Sequence, residues 1–419
     1  MKMKQSISMA SAFTVAMTLQ AVEAKKAEAW SGSDHVYVET NIKTPGGNSI
    51  AAFTRGSNGQ LTAIPGSPFL TGGAGTQYAG VNIGPQDSDQ EIISNRDHTL
   101  LFAVNSGSDT IAVFHILPSG ALTPVAGSPF PSGGNDPVSL ALVGDTLFVV
   151  NKSGDLGRPS AILPSYGALR VHGDGTLEPI SDRSNVSSHE FQPTVSVAIG
   201  SSPSQALVIP DTDLLFGTDF LTGLIERFRF DGNGSLHQLS PLKLAPREFA
   251  DTTTPRLPLG LWNHPFLPLL YVGYVTDAKL GVYEYDLEGG LKFLRAVPNS
   301  GAAICWLRTN RAGTRLYSSD TGTNSISVYD LTNPEEPVQI QEFNLSGLGN
   351  VLQFALSTDE RSLYALSSRG SAAIPEGEGN QLHILTVKPD GTVKEDQSAV
   401  PFKEPADTRP QGVAVVPAD

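Results

Sequence analysis

An eleven-residue segment that occurs twice constrains the fold more than any other feature of the chain. The copies are Gly59-Gln-Leu-Thr-Ala-Ile-Pro-Gly-Ser-Pro-Phe69 and Gly120-Ala-Leu-Thr-Pro-Val-Ala-Gly-Ser-Pro-Phe130, which share Gly, Leu-Thr and Gly-Ser-Pro-Phe at the same offsets. A short apolar segment precedes each copy at the same distance, residues 49–53 and residues 110–114. Short apolar runs separated by glycine turns predict β-hairpins, so each copy indicates a repeated all-β unit.

A second pattern gives the number of units. The first example is His35-Val-Tyr-Val-Glu-Thr-Asn41, in which apolar and polar residues alternate. Six later segments of the same kind begin with leucine followed by phenylalanine or tyrosine, at Leu101, Leu147, Leu215, Leu270, Leu316 and Leu363. Each is followed by a further strand and, in most units, by a hairpin signal such as Asp231-Gly-Asn-Gly234 that leads into an outer strand. These segments predict seven units.

The two ends of the chain predict how the units are joined. Small apolar strands precede several units, at residues 137–142, 204–209, 303–307 and 352–356, but none precedes His35. Residues 410–417 form such a strand with no unit after it. We therefore predict an all-β, seven-bladed β-propeller with four-stranded blades, closed by pairing of the C-terminal strand with the N-terminal blade. We expect one such domain over residues 30–419.

Charge and composition exclude some classes of partner. The formal net charge is −14, with 42 acidic against 28 basic residues, which disfavours binding to nucleic-acid phosphates. No apolar run is long enough to span a bilayer. The single cysteine, Cys305, excludes an intramolecular disulfide and a CxxC metal site, and we expect it to be a buried thiol. The sequence implies no cofactor and no metal, and we expect a monomer.

The N-terminus predicts secretion. Lys2 and Lys4 precede an uncharged run over residues 7–19, and small residues at Ala27 and Ala29 suit a signal peptidase, so residues 1–29 are predicted to be a signal peptide. We therefore expect a secreted or extracytoplasmic protein. Asn-x-Ser sequons would make it a glycoprotein in a eukaryotic host, at Asn151, Asn185, Asn233 and Asn344.

The repeated Gly-Ser-Pro-Phe segments, the seven strand signals and the C-terminal Gln-Gly-Val-Ala-Val resemble the lactonase-type seven-bladed propellers. That family includes 6-phosphogluconolactonase and the carboxy-muconate cyclases of the cycloisomerase 2 family, and the resemblance covers the chain from about His35 to its end. It implies a lactone hydrolase or a cyclase that acts at the funnel around the propeller axis.

The family's polar positions are mostly substituted in this chain. Gln205 stands where the family has a histidine in unit four, and Arg308 stands at the corresponding position of unit six. In unit five, Leu259 and Gly260 replace an arginine and a histidine, and Tyr274 replaces a glutamate. Asp219 matches the family's aspartate, so the resemblance carries over this one group.

Antiparallel strands place the end of each second strand beside the start of each inner strand, on one face around the axis. We expect a ligand site on that face, near Asn105, Ser139, Asn151, Gln205, Asp219, Arg256, Asp320, Gln353 and Arg409. Of these, Gln205, Gln353 and Asp320 are candidate substrate-binding residues. Asn105, Asn151, Asp219 and Asp320 also suit a purely structural role, since Asn and Asp cap turns.

Two functions stay open at this point. As an enzyme, the chain would hold a carboxylate or an oxyanion with Arg256, Arg308 or Arg409, while Asp219 or the pair His189 and Glu190 moves a proton. As a non-catalytic secreted or cell-surface protein, it would use the propeller as a platform for a glycan or a protein. His264, at the opposite end of the axis, is expected to be structural.

Overall fold

The structure is a computed structural model that describes residues 33–56, 59–76, 88–155, 157–180, 191–243, 256–370, 373–375, 378–402, 405 and 408–418. Its strands form seven antiparallel sheets, which we number as blades one to seven from the N-terminus. The described residues contain no α-helix and one short 3₁₀ helix, Ser106–Ser108. The all-β propeller is confirmed.

Each blade contains an inner, a second, a third and an outer strand, and in four blades the outer strand is split in two. From the inner to the outer strand, blade one contains Gln411–Pro417, Asp34–Glu39, Ser49–Arg55 and Leu61–Ala63 with Phe69–Leu70. Blade two contains Ile92–Ser94, Leu100–Asn105, Thr110–Ile116 and Leu122–Pro124 with Phe130–Pro131. Blade three contains Pro137–Val143, Thr146–Asn151, Ser165–Val171 and Leu177–Pro179 with Thr194–Ser196.

In the same order, blade four contains Leu207–Val208, Leu214–Asp219, Leu224–Phe230 and Leu236–Lys243, and blade five contains Pro258–Asn263, Leu269–Tyr274, Lys279–Tyr285 and Leu291–Pro298. Blade six contains Ile304–Thr309, Arg315–Asp320, Ser325–Asp330 and Val338–Asn344. Blade seven contains Asn350–Leu356, Ser362–Ser368, Gln381–Val387 and Val393–Glu395 with Val400–Pro401.

The ring closes as the sequence predicts. The C-terminal strand Gln411–Pro417 pairs antiparallel with Asp34–Glu39, with Val36 opposite Val415 and Tyr37 opposite Ala414. This strand also packs against the inner strands of blades two and seven. Blade one therefore joins the two ends of the described chain, and no inner-strand edge is left open there.

The repeated Gly-Ser-Pro-Phe segment has a specific structural task. The serine Oγ accepts a hydrogen bond from the third strand where the outer strand is interrupted, from Ala52 N to Ser67 (2.8 Å) and from Val113 N to Ser128 (2.8 Å). Gly66 and Gly127 adopt φ values of +91° and +85°, which a side chain would strain. The hydroxyl thus satisfies a backbone donor that the split strand cannot reach.

The core lies between the blades. In the described ring, seven clusters of buried apolar side chains join neighbouring blades, and the cluster between blades six and seven also includes Leu259 of blade five. Between blades one and two, for example, Tyr37 and Ile50 pack with Leu101 and Phe114. Burying one such side chain contributes about 1.5–3 kcal/mol, so stability comes from circular packing of adjacent sheets.

The inner strand of blade four is shorter than predicted. The sequence suggests a strand over residues 204–209, but only Leu207–Val208 pairs as a regular ladder. The backbone N of Ala206 donates instead to Ser139 Oγ of blade three (3.1 Å), and Ser204 Oγ bonds Thr218 Oγ1 (2.7 Å). Side-chain hydroxyls therefore compete with the ladder at the start of this strand.

Candidate functional site

The residues predicted at the ends of the second strands are buried inside the ring. Asn105, Asn151, Asp219 and Asp320 are fully buried. Asp219 Oδ1 accepts hydrogen bonds from Ser202 N (2.7 Å) and Thr222 N (3.4 Å), which is the turn-capping arrangement. Asn151 is fully buried, so it is not a glycan acceptor in the folded chain, whereas the sequons at Asn233 and Asn344 are exposed.

Asp320 belongs to a polar network that links blade six to the end of the outer strand of blade five. Its carboxylate accepts hydrogen bonds from Asn299 Nδ2 (2.7 Å), Ser318 Oγ (3.1 Å) and Ser327 Oγ (2.5 Å). Burial raises the pKa of Asp320 to about 7, although these hydrogen bonds oppose the rise. Ser318 and Ser327 belong to blade six, whereas Asn299 follows the outer strand of blade five, so this carboxylate joins two neighbouring blades.

Two of the predicted arginines are held by protein groups on the expected face. Arg256, just before the inner strand of blade five, forms an ion pair with Asp277 and is nearly buried. Arg409 precedes the closing strand, is 2% exposed, and donates from Nη1 to the carbonyl of Thr408 (2.8 Å). Neither side chain lines the cavity described below.

The third arginine lies in the centre of the ring. Arg308 is on the inner strand of blade six, and its guanidinium donates from Nη1 to Asp89 Oδ2 (2.5 Å) and from Nη2 to Asp89 Oδ1 (2.9 Å). Its Cζ lies 4.2 Å from the centre of the Trp262 ring of blade five. Asp89 thus reaches across from the start of blade two and fixes the plane of this guanidinium.

The predicted glutamines also contact the residues that precede blade two. Gln205 Nε2 donates to Gln90 Oε1 (2.8 Å), and the amide bridges the backbone of Leu261, accepting from its N (2.7 Å) and donating to its O (3.1 Å). Gln353 Nε2 donates to Glu91 Oε1 (2.7 Å). The structure therefore brings Gln205, Gln353 and Arg308 together around Asp89 to Glu91.

A cavity of about 460 Å³ opens beside Arg308. Besides Arg308, its walls consist of four apolar side chains, Trp262, Ala355, Leu356 and Val415, and six polar ones, His98, Thr309, Arg311, Ser357, Thr358 and Glu360. Several of these residues belong to turns between inner and second strands, so the cavity lies at the end of the axis opposite the predicted face. Asp219, Arg256, Asp320 and Arg409 do not line it.

Arg308 keeps donors available on the cavity side. Nη1 is used by Asp89 and by the carbonyl of Leu307 (2.8 Å), and one hydrogen of Nη2 is used by Asp89. Within the described residues, no acceptor bonds Nε or the second Nη2 hydrogen. The side chain is 15% exposed, so this edge of the guanidinium can bind a carboxylate or a carbonyl oxygen.

Several site residues follow from no sequence motif used above. Asp89 and Glu91 lie in Asp-Ser-Asp-Gln-Glu, residues 87–91, directly before the inner strand Ile92–Ser94. Acidic residues just ahead of an inner strand would have been the signal for groups near the axis. The predicted pair His189 and Glu190 lies outside the described residues.

Two other histidines have structural partners. His264 Nδ1 accepts from Phe266 N (3.1 Å) and Nε2 lies 3.1 Å from the carbonyl of Gly313, which confirms its structural role. In blade seven, Ser367 Oγ lies 3.0 Å from His383 Nε2, and His383 Nδ1 lies 2.6 Å from Glu395 Oε1. The order of these three side chains is that of a Ser-His-acid catalytic triad, but Ser367 and His383 are fully buried and inaccessible to substrate.

Comparison with solved structures gives the same fold. A Lactobacillus plantarum protein is 16% identical with a TM-score of 0.66, covering 92% of this chain and 99% of that one. A Bacteroides uniformis protein classed provisionally as a 6-phosphogluconolactonase is 16% identical with a TM-score of 0.66, covering 92% and 100%. The Pseudomonas aeruginosa periplasmic gluconolactonase is 18% identical with a TM-score of 0.61, covering 90% and 99%.

At these identities the likeness establishes the propeller fold alone. No family model matches the chain, and no curated protein sequence matches it. Among the described residues, no helix is long and apolar enough to cross a membrane. The chain is therefore a seven-bladed β-propeller that shares its fold with these proteins.

Proposed function

We propose that the chain binds a small lactone or carboxylated molecule beside Arg308 and opens or closes its lactone ring. One observation carries the proposal. Asp89 binds one edge of the Arg308 guanidinium, and the other edge faces a cavity of about 460 Å³ with hydrogen-bond donors available. A volume of this size suits a small organic molecule. Because the fold is shared with proteins named as lactonases, lactones are the first class to test.

Trp262 and Asp89 support this role of Arg308. The indole covers one face of the guanidinium, and the bidentate carboxylate restricts its rotation. A donor fixed in this way requires little reorganisation when negative charge develops on a substrate oxygen. In lactone hydrolysis, water adds to the ring carbonyl, the oxyanion is stabilised by Arg308, and the ring C–O bond then breaks. His98 and Glu360 line the same cavity and are candidates for moving the proton.

The test is a panel of five- and six-membered lactones and carboxylated muconates, assayed with the parent and with Arg308→Ala. We expect turnover of at least one compound by the parent and a loss of about 100-fold or more in kcat/KM in the variant. Arg229→Ala is the matched control, because Arg229 lies on the third strand of blade four, forms an ion pair with Asp213 and does not line the cavity. A loss in kcat would indicate oxyanion stabilisation, and a rise in KM alone would indicate binding of a carboxylate in the ground state.

Arg256→Ala and Asp219→Asn test the face predicted from the sequence. If these variants lose activity while Arg308→Ala retains it, the reaction takes place at the other end of the axis and the proposed site is wrong. If all three variants match an active parent, none of these groups participates.

A non-catalytic binding protein is the second candidate. The observation that favours it is that Asp219, Gln205 and Arg256 all bond to protein groups, so few of the family's reactive positions are available. Calorimetry on the same panel distinguishes the two functions. Binding that depends on Arg308 without turnover would support the binding protein, and turnover would exclude it.

We also propose that the protein is extracytoplasmic, on the basis of the signal-peptide pattern in residues 1–29, which lie outside the described residues. The mature chain from its native host should begin between about Lys25 and Ser31, as N-terminal sequencing would show. A cytosolic protein that begins at Met1 would contradict this location.

A further inference from the structure

Four buried side chains on the axis have oxygen atoms without partners. Among the described residues, Glu39 Oε2, Glu91 Oε2, Gln353 Oε1 and Gln411 Oε1 are buried and form no hydrogen bond, and neither does Gln411 Nε2. Glu39, Glu91 and Gln411 are fully buried, and Gln353 is 4% exposed. A buried polar oxygen without a partner costs about 1–3 kcal/mol, so such a concentration calls for a ligand.

The four side chains converge from three adjacent blades. Gln411 begins the inner strand of blade one and pairs with Glu39 on its neighbour. Glu91 lies directly before the inner strand of blade two, and a Cβ atom at Gly412 would lie 3.3 Å from its Oε2. Gln353, on the inner strand of blade seven, donates from Nε2 to Glu91 Oε1 (2.7 Å). The amide oxygens and carboxylates therefore lie around one point near the start of the inner strands.

The charge of this cluster is not compensated by the protein. Neither Glu39 nor Glu91 forms an ion pair with a described arginine, lysine or histidine, and Arg308, the arginine on the inner strand of blade six, is paired with Asp89. Two carboxylates in such a place would require either protons or a cation.

We propose that Glu39, Glu91, Gln353 and Gln411 bind a divalent hard cation, calcium before magnesium, on the propeller axis. Every available donor atom is a carboxylate or amide oxygen, which is the ligand set of calcium, whereas zinc favours nitrogen and sulfur. Magnesium usually retains several waters, which four buried side chains leave little room for. Among the described residues, no three His, Cys, Asp or Glu side chains form a metal-binding group, so the amide oxygens are essential to this site.

The first test uses the unaltered full chain. The protein is treated with EDTA, dialysed, and titrated with calcium chloride, magnesium chloride and zinc chloride by calorimetry, while elemental analysis measures the metal retained after dialysis. We expect one bound calcium per chain and weaker binding of magnesium. Addition of calcium should raise the melting temperature by about 2–4 °C or more. Absence of bound calcium and magnesium, or a preference for zinc, would overturn the proposal.

The second test uses variants that keep side-chain size. Glu91→Gln and Glu39→Gln each remove one negative charge, so calcium affinity should fall by more than about tenfold. Glu226→Gln is the matched control, because Glu226 is 2% exposed, has its pKa raised to about 7 by burial, and lies in blade four with Gln238 as its partner. Calcium binding that is equal in all three variants would place the site elsewhere and overturn the assignment.

Gln411→Met protects the test against a failure of the glutamate variants to fold. Both polar atoms of Gln411 are without partners, so the thioether should leave stability in EDTA unchanged or raised. It should lower calcium affinity. Unchanged affinity in this variant would exclude Gln411 as a ligand and contradict the proposed set. Metal content and lactone turnover are separate measurements, so failure of this site is distinguishable from failure of the function proposed above.

Discussion

Two buried acidic regions of this propeller differ in how completely their hydrogen bonds are made. In blade six, Asp320 accepts from Asn299, Ser318 and Ser327, so that both of its carboxylate oxygens have partners. On the axis, Glu39 and Glu91 each keep one buried oxygen without a partner in the described chain. Burial raises the pKa in both regions. Burial and a perturbed pKa therefore do not by themselves mark a site, and the axis differs in that unpartnered oxygens of several blades lie close together.

The two regions also differ in where their residues come from. The Asp320 network draws on one short stretch of the chain, from Asn299 at the end of blade five to Ser327 in blade six, so it is local in sequence. The axis draws Glu39, Glu91, Gln353 and Gln411 from both ends and the middle of the chain, and Arg308 meets Asp89 across 219 residues. The axis therefore exists only after the ring has closed.

Removing the closing strand should have the largest effect. Deletion of residues 410–419 removes the inner strand of blade one and exposes the edge of Asp34–Glu39 with its buried Val36 and Val38. We expect loss of soluble folded protein, including the axis, because seven clusters stabilise the described ring only by mutual contact. Circular dichroism and calorimetry would measure it, and a cooperative melting transition that survives the deletion would contradict ring closure.

The sequence predicts this ring because its signals are local and repeated. Alternating apolar residues and the Gly-Ser-Pro-Phe turn specify each hairpin, and the unpaired strand at residues 410–417 specifies the closure. The short inner strand of blade four was missed, since Ala206 N bonds Ser139 Oγ of another blade. The Asp89–Arg308 pair was missed for the same reason: a contact between distant side chains leaves no periodic pattern.

The candidate site was predicted less well than the fold. Arg308, Gln205 and Gln353 are near the axis, but their partners in residues 89–91 follow from no motif. Asp219 and Asp320 carry the residue types of an active site, yet the hydrogen bonds that they form are those of a turn cap and of a local polar network, and Asp219 Oδ2 has no partner among the described residues. Residue type and strand position fix where a side chain begins, and the contacts at its polar end decide what it does.

Replacing the satisfied acid should have the next largest effect on stability. Asp320→Ala leaves Asn299, Ser318 and Ser327 without their acceptor and creates a cavity, so we expect a loss of about 3–4 kcal/mol by urea denaturation near pH 4, where the folded carboxyl is protonated. Asp231→Ala is the matched control, because Asp231 accepts from the backbone N of Asn233 and Ser235 in an exposed turn. Its loss should be about 1 kcal/mol.

Glu91→Gln sharpens the contrast with Asp320→Ala. In EDTA it should cost little or be stabilising, because it removes a buried ionisable group that lacks a full set of partners. Equal and large losses in Asp320→Ala and Glu91→Gln would mean that the axis is as well satisfied as blade six. The distinction between the two regions would then be wrong.

The smallest expected effect concerns the acid side of the stability profile, and it depends on blade seven. Burial raises the pKa of Glu395, but the hydrogen bonds from His383 and Ser346 outweigh it, so the pKa lies below its usual value. A carboxyl with a lowered folded-state pKa contributes stability that is present above its unfolded value, near pH 4.5, and is lost as pH falls through the folded value. Asp320, with its pKa raised to about 7, acts in the opposite direction and loses its contribution as pH rises from about 4 to 7.

Glu395→Gln should therefore reduce the loss of stability below pH 4.5 by about 1–2 kcal/mol and leave the decline toward pH 7 unchanged. Glu178→Gln is the matched control, because Glu178 forms the same kind of pair with His172 on the surface, where solvent screens it. Urea denaturation between pH 3 and 8 measures both limbs, and an acid limb equally steep in Glu395→Gln and the parent would show that the buried histidine pair contributes nothing to it.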